Sequence, residues 1–432
     1  MHACPALFIS APASNQGKTT VTAGLARYHT RQGRRVRVFK TGPDFLDPMI
    51  LERASGAPVY SLHLWMVGES GCRALLAQAA QDADLILIEG VMGLFDGTPS
   101  SADLAAAFGV PVLAVIGAHG MAQTFGAMAF GLARYQADLP FHGVLANRVA
   151  SARHAQMLSE AIPEGIRYCG HLSSTEDIAL PGRHLGLTQA AEVADIDARL
   201  DRAADEIGET ALRELPPVVV FNHDTQEPPP RLLEGMRIAI ARDAAFSFIY
   251  PANLDLLKAM GATLAPFSPL ADEPVPTHAD ALYLPGGYPE LHAARLAANA
   301  ASADSIRAHV EAGKAVVAEC GGMLYLLDSL TDIEGAQHAM LALLPGHAKM
   351  QKRLARLAMQ RVESRHGIHT GHTFHYSSMT TSMSPVLTAT HATTGVEGEA
   401  IYRHGPITAT YMHTYWPTNP AATAALFRGE TL

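Results

Sequence analysis

Cysteine is scarce in this chain. Among 432 residues there are four, Cys4, Cys72, Cys169 and Cys320, and no two form a CxxC pair. Such scatter argues against a zinc site or a disulfide framework and fits a reduced compartment. Charge is sparse too: 17% of residues, with a net charge of −9 when His is neutral and no basic run. Nucleic acid is therefore not an expected partner. No apolar stretch is long and unbroken enough to span a bilayer. Residues 1–10 are too short for an export signal with charged and apolar regions. The expected setting is the cytoplasm, with no membrane partner. Short-period repeats and low-complexity tails are missing as well. What remains is a globular composition, 48% hydrophobic, in a chain long enough for two or three domains with their own cores.

The first half alternates short apolar runs with amphipathic stretches. Residues 6–10, 35–40, 85–89, 111–116 and 143–147 read as buried strands, and 19–31, 102–108 and 122–135 as helices between them. This rhythm predicts βαβ units and a mainly parallel sheet. It ends in a charged helical stretch at 193–214. A short apolar run at 218–221 and the triple proline Pro228-Pro229-Pro230 follow, and consecutive prolines make a stiff linker. From Met236 the βα rhythm restarts. The expected organisation is a first α/β domain over 1–215, a linker over 216–234 and a second α/β domain over 235–432.

The stretch Ser14-Asn15-Gln16-Gly17-Lys18-Thr19-Thr20 follows the first strand and opens a helix, the context a phosphate loop needs. Gly17 lets the backbone approach phosphate oxygens, Lys18 offers a point charge to the β- and γ-phosphates, and the Thr19 hydroxyl can ligate magnesium. The helix N-terminus adds partial positive charge. The strict pattern wants glycine five residues before Gly17, where this chain has Pro12. Glu89 ends the apolar run 85–89, and an acid there is costly without a partner. Ligands of open α/β sheets sit at such strand ends, where a carboxylate can hold Mg²⁺. Asp44 and Asp47 follow the second strand, and Asp96 lies in Gly93-Leu94-Phe95-Asp96-Gly97. The plain alternative for each is a turn aspartate capping the backbone.

A second signal is Ala318-Glu319-Cys320-Gly321-Gly322, where an apolar strand runs into a cysteine flanked by small residues and then a helix. That is the strand-to-helix turn of a nucleophile elbow. The helix N-terminus is expected to lower the thiol pKa, and the Gly321 N–H can help hold an oxyanion. A second donor loop is suggested by Pro285-Gly286-Gly287. A cysteine nucleophile wants a histidine base, and His413 ends a strand far downstream. His366, His369, His372 and His375 recur every three residues and invite a metal reading. Gly367 and Gly371 argue against the helix that would align them; substrate contacts or a solvated loop are the preferred reading.

These residues resemble the a,c-diamide synthases of cobyrinic or hydrogenobyrinic acid. The likeness runs through nearly the whole chain, in blocks at 11–20, 39–48, 89–97, 143–148, 180–187 (LPGRHLGL), 241–248, 267–270, 285–290, 318–322, 371–377 and 411–413. It implies a dethiobiotin-synthetase-like P-loop domain followed by a class I glutamine amidotransferase domain. It further implies ATP and Mg²⁺ as cofactors, glutamine and a corrinoid (tetrapyrrole) carboxylate as partners, and is compatible with a homodimer. By the resemblance, Cys320 attacks glutamine, His413 takes the thiol proton, and N–H groups near Gly287 and Gly321 hold the oxyanion. The substrate carboxylate attacks the γ-phosphate of ATP, Thr19 and Glu89 hold Mg²⁺, and ammonia attacks the acyl phosphate. Asp44, Asp47 and Asp96 orient substrate and metal, and Asn147 matches an adenine-reading position. A protected path for ammonia is expected.

The chain also departs from the family. Asn15-Gln16 stands where glycine and a small residue are usual, Ser173-Ser174-Thr175-Glu176 where Pro-Arg-Asp is expected, and His413-Thr414-Tyr415-Trp416 where His-Leu-His-Phe is common. No Glu follows His413 by two, so the third member of many glutaminase triads is absent, and a slow, coupled glutaminase is expected. Two alternatives differ in substrate, cobyric acid formation or diamidation of a nickel-containing sirohydrochlorin. A third is a non-enzymatic ATP switch with an inert amidotransferase domain.

Overall fold

Eight strands build the sheet of the first unit: β1 (His2–Ser10), β2 (Val36–Thr41), β3 (Tyr60–Leu62), β4 (Leu85–Glu89), β5 (Val112–Gly117), β6 (Phe141–Val149), β7 (Tyr168–Ser173) and β8 (Val218–Phe221). The computed structural model describes residues 2–180, 193–222 and 227–431. It divides into two compact units, Met1–Gln226 and Glu227–Leu432. Most of the 180–187 block lies outside the described residues.

The strand order is β3-β2-β4-β1-β5-β6-β7, every neighbour parallel. Phe8, Ile86, Ile88, Ala114 and Ile116 pack on one face, and Leu7, Ile9, Leu85, Leu87 and Val115 on the other. Both faces are covered, so the central strands read as unbroken apolar runs. Residues 218–221, inside the stretch expected as linker, instead form β8. Val219 and Phe221 are buried, Val218 and Val220 exposed, and the strand pairs antiparallel with β1 through His2–Phe221 and Pro5–Val218. Helices Lys18–Arg31, Ser101–Phe108 and Thr124–Arg134 fall in the expected intervals, and the charged stretch forms Ile196–Gly208.

The second unit holds β9 (Arg237–Ala241), β10 (Thr263–Phe267), β11 (Ala281–Leu284), β12 (Ala315–Glu319), β13 (Leu327–Thr331), β14 (Gln337–Ala339), β15 (Leu344–Met350), β16 (Arg356–Ser364), β17 (Gly367–His375), β18 (Ser377–Thr380), β19 (Leu387–His391), β20 (Glu397–His404), β21 (Ile407–Thr410) and β22 (His413–Tyr415). One sheet runs β10-β9-β11-β12-β21-β20-β19-β16-β17-β22. Its first five strands are parallel and the rest antiparallel. A smaller sheet has the order β14-β13-β15-β18. The histidine-rich stretch 367–375 is therefore a strand with buried histidines, not a solvated loop. No helix among the described residues is long and apolar enough to cross a membrane.

Candidate functional site

In the first unit the carboxyl ends of β1, β2 and β4 bring the phosphate loop and the acidic loops together. Gly17 sits at φ 94° and starts helix Lys18–Arg31 without a side-chain cap. Helix Ser101–Phe108, by contrast, spends its first turn on a capping box from Ser100 and Asp103. The uncapped first-turn N–H groups are donors suited to an anion. A methyl on Gly17 would lie 1.9 Å from Asn147 Nδ2. The loop therefore packs directly on Asn147, which donates to Gln16 O at 2.8 Å. Thr20 lies half-buried in the helix's first turn.

The departures in the loop have a local explanation. Asn15 takes φ 61°, a left-handed conformation that asparagine tolerates better than most residues. Gln16 Oε1 accepts from Gly117 N at 2.8 Å and fixes the loop to β5. Ser173 turns to structure as well: its N–H donates to Glu206 Oε2 at 2.7 Å, and its hydroxyl donates to the same carboxylate.

Lys18 Nζ donates to Met92 O at 2.6 Å and Ala13 O at 3.2 Å. Burial, then the neighbouring Lys40 charge, pulls its pKa down to about 8, against Glu89 and Asp96. The Thr19 hydroxyl donates to Glu89 Oε1 at 3.1 Å. Glu89 is fully buried, and its Oε2 has no hydrogen-bond partner among the described residues. Lys40, which the sequence reading did not single out, donates to Glu89 Oε1 at 2.6 Å and Asp47 Oδ2 at 2.9 Å, with Asp44 at 3.9 Å. Its signal was a lysine closing an apolar strand just before two aspartates. Asp44 also caps the following helix, accepting from Leu46 N at 2.9 Å, and Asp96 accepts from Gly93 N at 3.0 Å. The turn role of these two aspartates is therefore real, and it coexists with their place beside the loop.

In the second unit Cys320 has φ 44° and ψ −109° between β12 and helix Gly321–Leu326, a conformation costing about 1–3 kcal/mol. Its N–H is tied to Thr410 O at 2.7 Å. His413 opens β22, beyond Thr410 in the chain. A methyl on Gly286 would lie 2.3 Å from His413 Cε1 and 3.3 Å from Cys320 Cβ, so the imidazole and the nucleophile candidate meet across that glycine. A methyl on Gly321 would lie 2.9 Å from Gly287 N, which puts the two oxyanion candidates side by side.

The expected drop in thiol pKa does not occur. Burial pushes the Cys320 thiol well up, and the carboxylates of Glu290, Glu399 and Glu319 add to it, against the Gly321 N–H. The helix is six residues long, and Phe246, Met323 and Tyr325 pack in the same core cluster as Cys320. Desolvation thus outweighs the short helix's dipole. Burial, then the charge of His375, lowers His413 to about 3.

The four spaced histidines go separate ways. His372 pairs with His413 across β17 and β22, stacks on it with centroids 5.0 Å apart, and bonds Tyr250 Oη at 2.8 Å. His375 stacks on Tyr411 and bonds Glu399 at 3.2 Å. His369 bonds Thr423 and Asn419, and His366 bonds Thr431 O. No group of three or more His, Cys, Asp or Glu placed to hold a metal ion occurs among the described residues.

Fold and sites define a two-unit protein that joins a nucleotide-binding unit to a glutamine amidotransferase unit. Residues 7–187 match the family described as the CobQ/CobB/MinD/ParA nucleotide binding domain, and residues 237–421 the CobB/CobQ-like glutamine amidotransferase domain. The hydrogenobyrinate a,c-diamide synthase of Pseudomonas aeruginosa is 60% identical over 98% of this chain and 97% of its own length. That of Stutzerimonas stutzeri is 60% identical over 98% and 99%. The cobyrinate a,c-diamide synthase of Herminiimonas arsenicoxydans is 52% identical over 98% and 97%. The chain belongs to the family of hydrogenobyrinate and cobyrinate a,c-diamide synthases.

Proposed function

We propose that this protein amidates the a and c acetate side chains of cobyrinate or hydrogenobyrinate, using ATP and taking nitrogen from glutamine or free ammonia. The observation that carries the reading is the meeting of Cys320 and His413 across Gly286, in a chain whose full-length relatives are a,c-diamide synthases. With the thiol pushed up and the imidazole pushed down, the resting pair is neutral. Cys320 Sγ attacks the glutamine amide carbon as His413 takes the thiol proton, and the N–H groups of Gly287 and Gly321 receive the oxyanion. Collapse breaks the C–N bond, His413 returns the proton to the departing nitrogen, and water releases glutamate from the thioester.

In the first unit Lys18 and the first-turn N–H groups hold the β- and γ-phosphates. The substrate carboxylate displaces ADP from the γ-phosphoryl group, and ammonia then displaces phosphate from the acyl phosphate. Thr19 and Glu89 are an all-oxygen donor pair, and the buried unpaired oxygen of Glu89 suits a hard cation. Mg²⁺ held there supplies charge neutralisation on the phosphates. Lys40 and the Asp44, Asp47 and Asp96 carboxylates orient the reacting groups, and Asn147 is the adenine-reading candidate. The test is incubation with metal-free and cobalt-bearing macrocycles, ATP, Mg²⁺ and glutamine, read by mass spectrometry. Two added amides on one macrocycle are expected; ADP formation without any amide would overturn the reading.

A further inference from the structure

Glu319 immediately precedes the nucleophile candidate and is almost wholly buried at the end of β12. A carboxylate there is an expensive choice where an apolar residue would fill the same space. Both of its oxygens are engaged. Oε2 accepts from Tyr283 Oη at 2.8 Å, and Oε1 accepts from Thr414 N at 3.1 Å.

The two donors lie on the other two parts of the thiol site. Tyr283 is on β11, which runs straight into Pro285-Gly286-Gly287. Thr414 follows His413 on β22. The ladder joins β12 to β11 and β21, whereas β22 is laddered to β17 at the far end of the sheet. Toward the base, main-chain pairing ties the nucleophile strand only to β21, two residues short of His413, through Glu319 opposite Thr410 and the Cys320 N–H on Thr410 O. The Glu319–Thr414 bond is a direct tie from the nucleophile strand to β22 itself.

We propose that Glu319 is a positioning residue of the glutaminase centre, one carboxylate that holds the nucleophile, base and oxyanion strands in register. It takes the place of a triad acid: the residue two beyond His413 is Tyr415, and orientation reaches the imidazole through the main chain next to it. The proposal rests on the roles given above to Cys320, His413 and Gly287. Burial pushes Glu319 up to about 7, against the hydrogen bonds from Tyr283 and Thr414, which is the cost of keeping this acceptor in the core.

The test uses the full-length protein with Glu319→Ala, Glu319→Gln and Cys320→Ala, comparing glutamine-driven with ammonia-driven amidation of one macrocycle. A misplacement near 1 Å lowers rate by on the order of 100-fold, so Glu319→Ala should lose about 100-fold in glutamine-driven kcat with the glutamine KM little changed. Ammonia-driven turnover, which bypasses this centre, should persist. Glu319→Gln keeps an acceptor for Thr414 and should recover to within about tenfold of the parent, since a neutral hydrogen bond replaces the charged one. Unchanged glutamine-driven kcat in Glu319→Ala, or equal loss in the Gln and Ala variants, would overturn the proposal. Glutamine-driven turnover surviving in Cys320→Ala would instead overturn the nucleophile assignment beneath it.

Discussion

Lys40 Nζ lies 2.6 Å from Glu89 Oε1, and both side chains are buried at the ends of adjacent parallel strands, 3% and 0% exposed. Asp47 closes the cluster at 2.9 Å. Removing one partner of a buried ion pair leaves an uncompensated charge and costs about 3–5 kcal/mol. Lys40→Met is therefore expected to destabilise the first unit by that amount, and the double variant Lys40→Met/Glu89→Gln to recover part of it. Urea unfolding in a double-mutant cycle measures the coupling. A single-variant loss below about 1 kcal/mol, typical of an exposed pair, would count against the buried-pair account. Both variants should lose amidation from either nitrogen source.

The two units should fail independently when their chemistry is removed. Cys320→Ala is expected to abolish glutamine-driven amidation and spare the ammonia-driven reaction. Lys18→Ala should do the reverse at the level of partial reactions, ending amidation from either donor while basal glutamine hydrolysis persists. ADP and glutamate release, followed separately, distinguish these cases. Loss of both reactions in Cys320→Ala would remove the division of labour.

What could be read in advance follows from local physics. The run 85–89 was legible because both faces of β4 are covered and every residue is buried. The phosphate loop and the elbow were legible because glycine, small neighbours and a strand end are contiguous in sequence. Strands β16 and β20 were not. Their burial is irregular, and charged or polar residues interrupt both, Arg, Gln and Glu in β16 and Glu, Arg and His in β20, so neither an apolar run nor a clean alternation marks them. Lys40 and Glu319 were missed for a different reason. The partners that make them informative are 49 residues away for Glu89, and 36 and 95 for Tyr283 and Thr414. The lowered thiol pKa was misjudged because the dipole is written in the sequence and the desolvation that outweighs it is not.

Acid should weaken the first unit before the second. Burial lowers His29 to about 4 and also lowers His63 and His142, so the folded first unit resists protons that the unfolded chain accepts below pH 6.5. Stability then falls as pH drops, by at most about 1.4 kcal/mol per pH unit for each such group. In the second unit His309, His369 and His413 act in the same direction. Burial there also pushes Glu290 and Glu319 up to about 7. A raised carboxylate stabilises on the acid side and loses that contribution as pH rises through its folded pKa, so these two offset the histidines between pH 6.5 and 4.5. Hydrogen exchange, corrected for the intrinsic rate at each pH, should show the larger acid loss in peptides of the first unit. A larger loss in the second would contradict the assignment.

Gly286 offers the sharpest steric test of the thiol site. Its missing side chain leaves the space in which His413 and Cys320 approach, and a methyl there would stand 2.3 Å from His413 Cε1 and 3.3 Å from Cys320 Cβ. The imidazole cannot simply swing aside, since it is fully buried and stacked against His372. Gly286→Ala must therefore push the base off the nucleophile, and a shift near 1 Å costs on the order of 100-fold in rate. Glutamine hydrolysis should fall by about that factor while ammonia-driven amidation continues. Glutaminase activity that survives the added methyl would mean that the imidazole and the thiol do not work across this glycine.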